Sequence, residues 1–232
     1  MIISIIVIQT GKGVGNTKPQ AGACSTSLQI GCYIAEVMKN DSFEEFSNNK
    51  IIPDIIRKSA LRALSFYPEL KDIHITFRFS ENMGKSFMQA QPEYVTMLRS
   101  PRKRAYLVKL RRYFILKGKK VPVHDISEDV MIGWLGHELG HVMDYLRKNA
   151  WTLLLFGVGY LSSKSFIISA ERIADTYAVN YGLGDYILAT KHFILHQAGM
   201  PEKYIRKINR LYLPPEEVME LMRKRLGDDP AG

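Results

Sequence analysis

The segment Gly136-His137-Glu138-Leu139-Gly140-His141 sets two imidazoles four residues apart, with a carboxylate beside the first. On a helix residues four apart share a face, so His137 and His141 can grip a single ion while Glu138 stays off it. Neutral imidazole nitrogen and carboxylate oxygen suit zinc, which in a catalytic site takes three protein groups and keeps one position for water. Glu138 is then the base for that water as it attacks a carbonyl, the ion having lowered the water's pKa towards about 7. Trp134, Leu135, Gly136, Leu139 and Gly140 are all neutral, so the helix carrying the motif reads as buried. Unpaired His and Glu side chains are costly there, and an ion removes the cost.

A third ligand is required, and Ser169-Ala170-Glu171-Arg172-Ile173-Ala174-Asp175 offers one. Glu171 is the candidate. Asp175, four residues on and on the same helical face, is the candidate carboxylate to orient a ligand imidazole through its outer nitrogen. Without the first motif, Glu171 and Asp175 read as a solvated stripe.

The elements that must position these residues follow from periodicity. Pro53 suits the first turn of a helix, and Ile55, Ile56, Leu61, Leu64 and Phe66 recur at roughly helical spacing, which predicts a helix over 53–67, stopped by Pro68. Ile73, Ile75, Phe77 and Phe79 alternate with His74, Thr76 and Arg78, a half-buried strand with which residues 86–90 are expected to pair. Tyr106, Val108 and Leu110 alternate with Leu107, Lys109 and Arg111, predicting a strand over 104–115 with its basic face to solvent and a turn at Lys117-Gly118-Lys119. Asp125 or Ser127 caps the motif helix, Glu128 completing a capping box with Asp125, and apolar positions carry the helix from Val130 to Leu146. Further helices are expected over 165–181, 185–198, 202–211 and 215–226, divided by Gly199-Met200-Pro201 and Pro214-Pro215. Residues 10–29 have the composition of a loop or linker, and their GKGVGNTK stretch lacks the Gly-Lys-Ser/Thr ending of a phosphate loop. The chain therefore divides into an N-terminal extension or pro-segment, 1–50, and one folded domain, 51–232.

HELGH followed by an ExxAD helix resembles the gluzincins, zinc peptidases in which a second helix supplies Glu as third ligand. The chain is similar to minimal soluble gluzincins and to the catalytic domain of the membrane peptidases that process prenylated or misfolded proteins. The resemblance implies an α+β, zincin-like fold: a small mixed sheet with a backing helix, an active-site helix, a glutamate helix and C-terminal helices. It implies Zn2+ held by His137, His141 and Glu171, Glu138 as general base, and a peptide or protein substrate bound along an edge strand drawn from 86–90 or 104–115. It also implies a downstream donor that steadies the oxyanion, for which His192 is the choice among His192, His196, Tyr181 and Tyr186. Motif identity covers residues 136–141 and 171–175 alone. The membrane relatives carry spanning helices, whereas Trp151 to Leu161 is too short to span and reads as a buried or interfacial hairpin, or a lip of the substrate cleft.

With 232 residues, 46% of them hydrophobic, the chain can bury one good core. Cys24 and Cys32 are its only cysteines, which excludes a multi-disulfide scaffold and a Cys-based zinc knuckle. The formal charge of +9 is uneven: no acidic residue lies between Glu93 and Asp125, where Arg99, Arg102, Lys103, Arg104, Lys109 and others crowd together. That run reads as a solvated strand and turn, or as a docking surface for acidic partners or anionic lipid. No aromatic interleaving suits base stacking, so no nucleic-acid partner is expected. Met1 to Gln9 is apolar without a basic leader, and with so few cysteines the cytoplasm is the expected compartment. Two other readings stand beside the peptidase. One is a zinc-binding regulatory or partner-binding module with little turnover; the other is a protein peripheral to a membrane, held by Trp151 to Leu161 and the basic run. Intact Glu138 favours an enzyme.

Overall fold

Pro53 starts a helix from its N-cap rather than from its first turn: α1 runs Asp54–Ser65 in the computed structural model, which describes residues 43–84, 86–116, 119–197 and 202–227. Its apolar side, including Ile56, Ala60, Leu61 and Leu64, is buried in the core. Four strands form a mixed sheet: β1 (Lys50–Ile51), β2 (His74–Phe79), β3 (Met88–Pro92) and β4 (Ala105–Leu110), in the order β1-β2-β4-β3. The pairs β1–β2 and β2–β4 are parallel, and β3 runs antiparallel to β4 at the sheet's edge. The described chain is thus α+β with a small mixed sheet.

The strand expected over 104–115 is two strands. β4 ends at Leu110, and β5 (Tyr113–Leu116) pairs with β6 (Lys119–Pro122) in a separate hairpin, their Lys117-Gly118 connection lying outside the described residues. The basic face does not point freely to solvent either. β4 sits between β2 and β3, so Ala105, Tyr106, Leu107 and Val108 are all buried. Lys109 donates to the Gln91 side chain at 3.2 Å, and Arg111 donates to the carbonyls of Ser86 and Gly84 at 2.9 and 2.6 Å. An interior position also leaves β4 without a free edge in this sheet, whereas β3 has one.

Helix α2 (Glu128–Leu146) is buried from Val130 to Tyr145, as an all-round apolar helix must be. The expected capping box is not made. Ser127 occupies the N-cap without a side-chain bond, Asp125 ends a preceding helical turn, and Glu128 pairs with Lys58 at 3.1 Å. Between the two motifs the chain forms no hairpin but a single helix, α3 (Ala150–Ser162), capped by the Asn149 side chain accepting from the Thr152 amide at 2.9 Å. Next come α4 (Lys164–Ala178), a kinked junction over Val179–Leu183, and α5 (Gly184–His192). Gly182 at φ 98° lies where a side chain would be strained, and this is where the expected 165–181 helix gives way. Helices α6 (Glu202–Leu211) and α7 (Pro215–Leu226) complete the chain, α7 stopping at the left-handed Gly227. Among the described residues no helix is long and apolar enough to cross a membrane.

Phe46 is buried in the core and β1 starts at Lys50, so the folded unit reaches back before residue 51. The readings made on residues 1–42, including the loop at 10–29, Cys24 and Cys32, lie outside the described residues.

The approach of α4 to α2 depends on Gly140. A Cβ there would come within 2.5 Å of the Ala174 carbonyl oxygen, a backbone atom that can yield only if α4 moves. Gly140→Ala is expected to cost about 1–3 kcal/mol, as overpacking does. Urea denaturation would show it as a lower midpoint at unchanged slope; an unchanged midpoint would mean that the helices have slack.

Candidate metal centre

α2 presents His137 and His141 to α4, and α4 answers with Glu171. One ligand atom from each of the three lies within 4.8 Å of the others, and all three residues are buried. His137 Nε2 is 3.2 Å and His141 Nε2 3.6 Å from the same Glu171 oxygen, Oε2. Ligand atoms about 2.0 Å from a tetrahedral ion stand roughly 3.3 Å apart, so these separations suit a small divalent cation. The ring nitrogens of His141 have no hydrogen-bond partner among the described residues, the separation from Glu171 being too long for one. An orphaned buried imidazole is costly, and coordination at Nε2, the nitrogen on the Glu171 side, would satisfy one of its two nitrogens. The residues present therefore fit a metal ion.

The supporting contacts select the ligand atom. Asp175 Oδ1 lies 2.9 Å from His137 Nδ1, and accepting that N–H leaves Nε2 directed at Glu171. The other Asp175 oxygen accepts from the Lys191 ammonium at 2.8 Å and the Leu213 amide at 3.0 Å. Burial opposes the charge of Asp175, yet Lys191 and His137 hold its carboxyl well below the usual range. Tyr160 of α3 donates to Glu171 Oε1 at 3.3 Å, leaving Oε2 on the side of the two imidazoles. Burial likewise opposes ionisation of Glu171, but the hydrogen bond from His137 and the nearness of His141 bring its pKa down to about 2. For His137 burial disfavours the cation, and the Asp175 and Glu171 carboxylates overcome it, raising the pKa to about 10. Burial lowers that of His141. Without metal, a proton on His137 and the Lys191 ammonium together thus balance the two carboxylates.

Glu138 projects from the same helix and is fully buried, neither carboxylate oxygen having a hydrogen-bond partner among the described residues. Burial, reinforced by the charge of Glu171, pushes its pKa up to about 8 against the opposing His137 cation. The Ala90 amide leans towards it without closing a hydrogen bond and offsets part of the rise. Ala90 lies on the edge strand β3. The Arg111 amide donates to Phe87 and the Glu93 amide to Ala105, so alternation along the antiparallel ladder turns the backbone groups of Met88 and Ala90 away from β4. The Ala90 carbonyl accepts from the Tyr145 hydroxyl at 3.3 Å.

His192 does not join this group. It is exposed on α5, its ring 4.8 Å from that of His196, while the preceding Lys191 turns inward to Asp175. Tyr181 hydrogen-bonds Glu69 at 2.5 Å and Tyr186 packs on Phe66, so neither is at the centre. The sequence reading missed Lys191 and Tyr160. Lys191 was visible in principle, because it falls between Ile187 and Ile194 on the apolar side of α5, where a lysine needs a buried counter-charge. Nothing in the apolar run of α3 distinguishes Tyr160 from its neighbours.

In comparisons with family models, curated proteins and solved structures, nothing matches the chain. The reading of the centre rests on its own geometry.

Metal must displace the proton that His137 holds with its pKa of about 10, so affinity is expected to rise with pH below that value, by up to about tenfold per unit. Zinc titrations from pH 6 to 8 in a non-chelating buffer check this; a flat profile would mean that His137 is not a ligand. Lys191→Met, leaving Asp175 short of a buried counter-charge, is expected to cost about 3–5 kcal/mol in urea denaturation. A loss near zero would show that His137 and the Leu213 amide suffice for Asp175.

Proposed function

We propose that the chain is a zinc-dependent peptidase of gluzincin type, with His137, His141 and Glu171 holding the metal and Glu138 as general base. The observation that carries this reading is the position of Glu138: a buried carboxylate with no hydrogen bond among the described residues, beside a group that could hold a metal ion and near the Ala90 amide of an edge strand. A structural metal site has no use for such a group.

Zinc bound there would polarise a scissile carbonyl and lower the pKa of a coordinated water towards about 7. The remaining work falls to the chain's own groups. Glu138 takes a proton at its carboxylate and returns it to the leaving amine; burial raises its pKa to about 8 in the metal-free centre, and the charge of a bound cation would bring it down from there towards the range where both transfers are favourable. Asp175 keeps the His137 ring in one orientation, and Tyr160 does the same for Glu171. The β3 edge offers the backbone groups of Met88 and Ala90 to an extended peptide by strand addition, and Pro92, lacking an N–H, ends that row of donors.

In this conformation the group is closed. His137 is 3% exposed, Glu171 1%, and Glu138 and His141 not at all, and the outward residues Met88 and Ala90 are equally covered. A substrate reaches the centre only when a covering element shifts. Helix α3 is suited to move, because only Leu153, Phe156 and Tyr160 among its described side chains are buried, and Tyr160 is its link to Glu171. The same closure supports a second reading, a zinc-binding regulatory module that acts on one dedicated partner or merely binds it, and whose centre opens on engagement.

Elemental analysis together with cleavage of a mixed library of unstructured peptides separates the two. Wild type is expected to carry about one zinc and to cleave; Glu138→Gln should keep the metal and lose activity by at least about 10²–10⁴-fold. His141→Ala and Glu171→Ala should lose both. A metal-loaded wild type that cleaves nothing in the library would favour the binding module.

A further inference from the structure

Helix α3 exposes the residues that a surface helix ordinarily buries. Trp151, Leu154, Leu155 and Val158 are 77%, 50%, 69% and 62% exposed and form a stripe at helical spacing on the side opposite Leu153, Phe156 and Tyr160. A second exposed apolar pair, Val95 and Leu98, lies in the segment joining β3 to β4, at 88% and 90% exposure. One buried side chain ties that segment to the start of α3. The Arg104 guanidinium, 1% exposed, donates to the carbonyls of Met97 and Arg99 at 3.0 and 2.9 Å and to that of Lys148 at 2.7 Å, two residues before α3 begins.

The charge around this face has one sign. Residues 94–124 and 145–170 contain no Asp or Glu. Arg99, Arg102 and Lys103 are exposed in the β3–β4 segment, and Lys164 is exposed just beyond the far end of α3.

We propose that this face docks on the surface of an anionic phospholipid bilayer, α3 lying in the plane of the interface with Trp151, Leu154, Leu155 and Val158 among the lipid headgroups and upper acyl chains. A helix of 13 residues is about 20 Å long, short of the roughly 30 Å hydrocarbon core, so it lies on the membrane and does not cross it. Tryptophan favours the headgroup level. Surface cations are drawn to anionic headgroups and fix the orientation. A second copy of the chain would bring the same cations face to face, which like-charge repulsion disfavours. The docking stands whether or not the chain cleaves peptides.

The test is co-sedimentation of the full chain with vesicles of phosphatidylcholine alone or mixed with phosphatidylserine, followed in parallel by tryptophan fluorescence. Trp134 is 1% exposed, so a blue shift on adding vesicles reports Trp151. Binding to the anionic vesicles is expected, weakened by high salt, with little binding to phosphatidylcholine. Trp151→Ser with Leu155→Ser, and separately Arg102→Glu with Lys103→Glu, should each lower the partition coefficient by roughly tenfold or more at unchanged circular dichroism. No association above the phosphatidylcholine level overturns the proposal. So does a dimer, seen by size exclusion and abolished by Trp151→Ser, in a chain that ignores vesicles.

Discussion

The structure is organised around buried charge on a helix that has no solvent-facing side. α2 is covered along its length from Val130 to Tyr145, and His137, Glu138 and His141 are inside with it. Buried ionisable groups are stable only when paired or coordinated. Every neighbouring element contributes to that requirement. α4 brings Glu171 and Asp175, α5 brings Lys191, the start of the segment after α6 brings the Leu213 amide, and α3 brings the Tyr160 hydroxyl. Close packing sets the distances: without a side chain at Gly140, the Ala174 carbonyl can lie against α2, next to Asp175 and about one turn from Glu171.

The compensation is complete for His137 and Asp175 and incomplete for Glu138 and His141. His137 and Asp175 form a continuous path of hydrogen bonds ending at Lys191 and a backbone amide. Glu138 and His141 retain polar atoms without partners among the described residues, Glu138 beside the Ala90 amide of β3 and His141 Nε2 3.6 Å from Glu171 of α4. Unsatisfied groups of this kind, gathered at one point in an otherwise well-paired interior, mark where a ligand belongs. Burial does two things there: it covers the three residues that could hold an ion, and it raises the Glu138 pKa to about 8.

The mixed sheet contributes through its edge. β4 lies in the interior, and the sheet meets Glu138 at Ala90 of the edge strand β3. α3 has two unlike faces, one sealing Glu171 through Tyr160 and the other apolar and open to solvent.

Much of the centre was legible in the sequence, because its geometry is local. Residues four apart on a helix share a face wherever the helix goes, so the pairing of His137 with His141, and of Glu171 with Asp175, follows from spacing alone. The neutral run around the first motif likewise required a buried helix, and the proline positions located α6 and α7, whereas the helix expected over 185–198 keeps its α-helical form only to His192. What the sequence left open depends on contacts between distant segments. That Glu171 lies against both imidazoles, that Asp175 serves His137, and that Lys191 closes the path were decided by how closely α2, α4 and α5 pack. Lys191 and His192 show the limit most directly. Adjacent residues on a helix point about 100° apart, so one reaches Asp175 and the other faces water, and only the docked position of α5 determines which. For β4 the alternation of basic and apolar residues is the same whether a strand is at an edge or between neighbours, and it was pairing on both sides with β2 and β3 that bound its cations to backbone and side-chain oxygens.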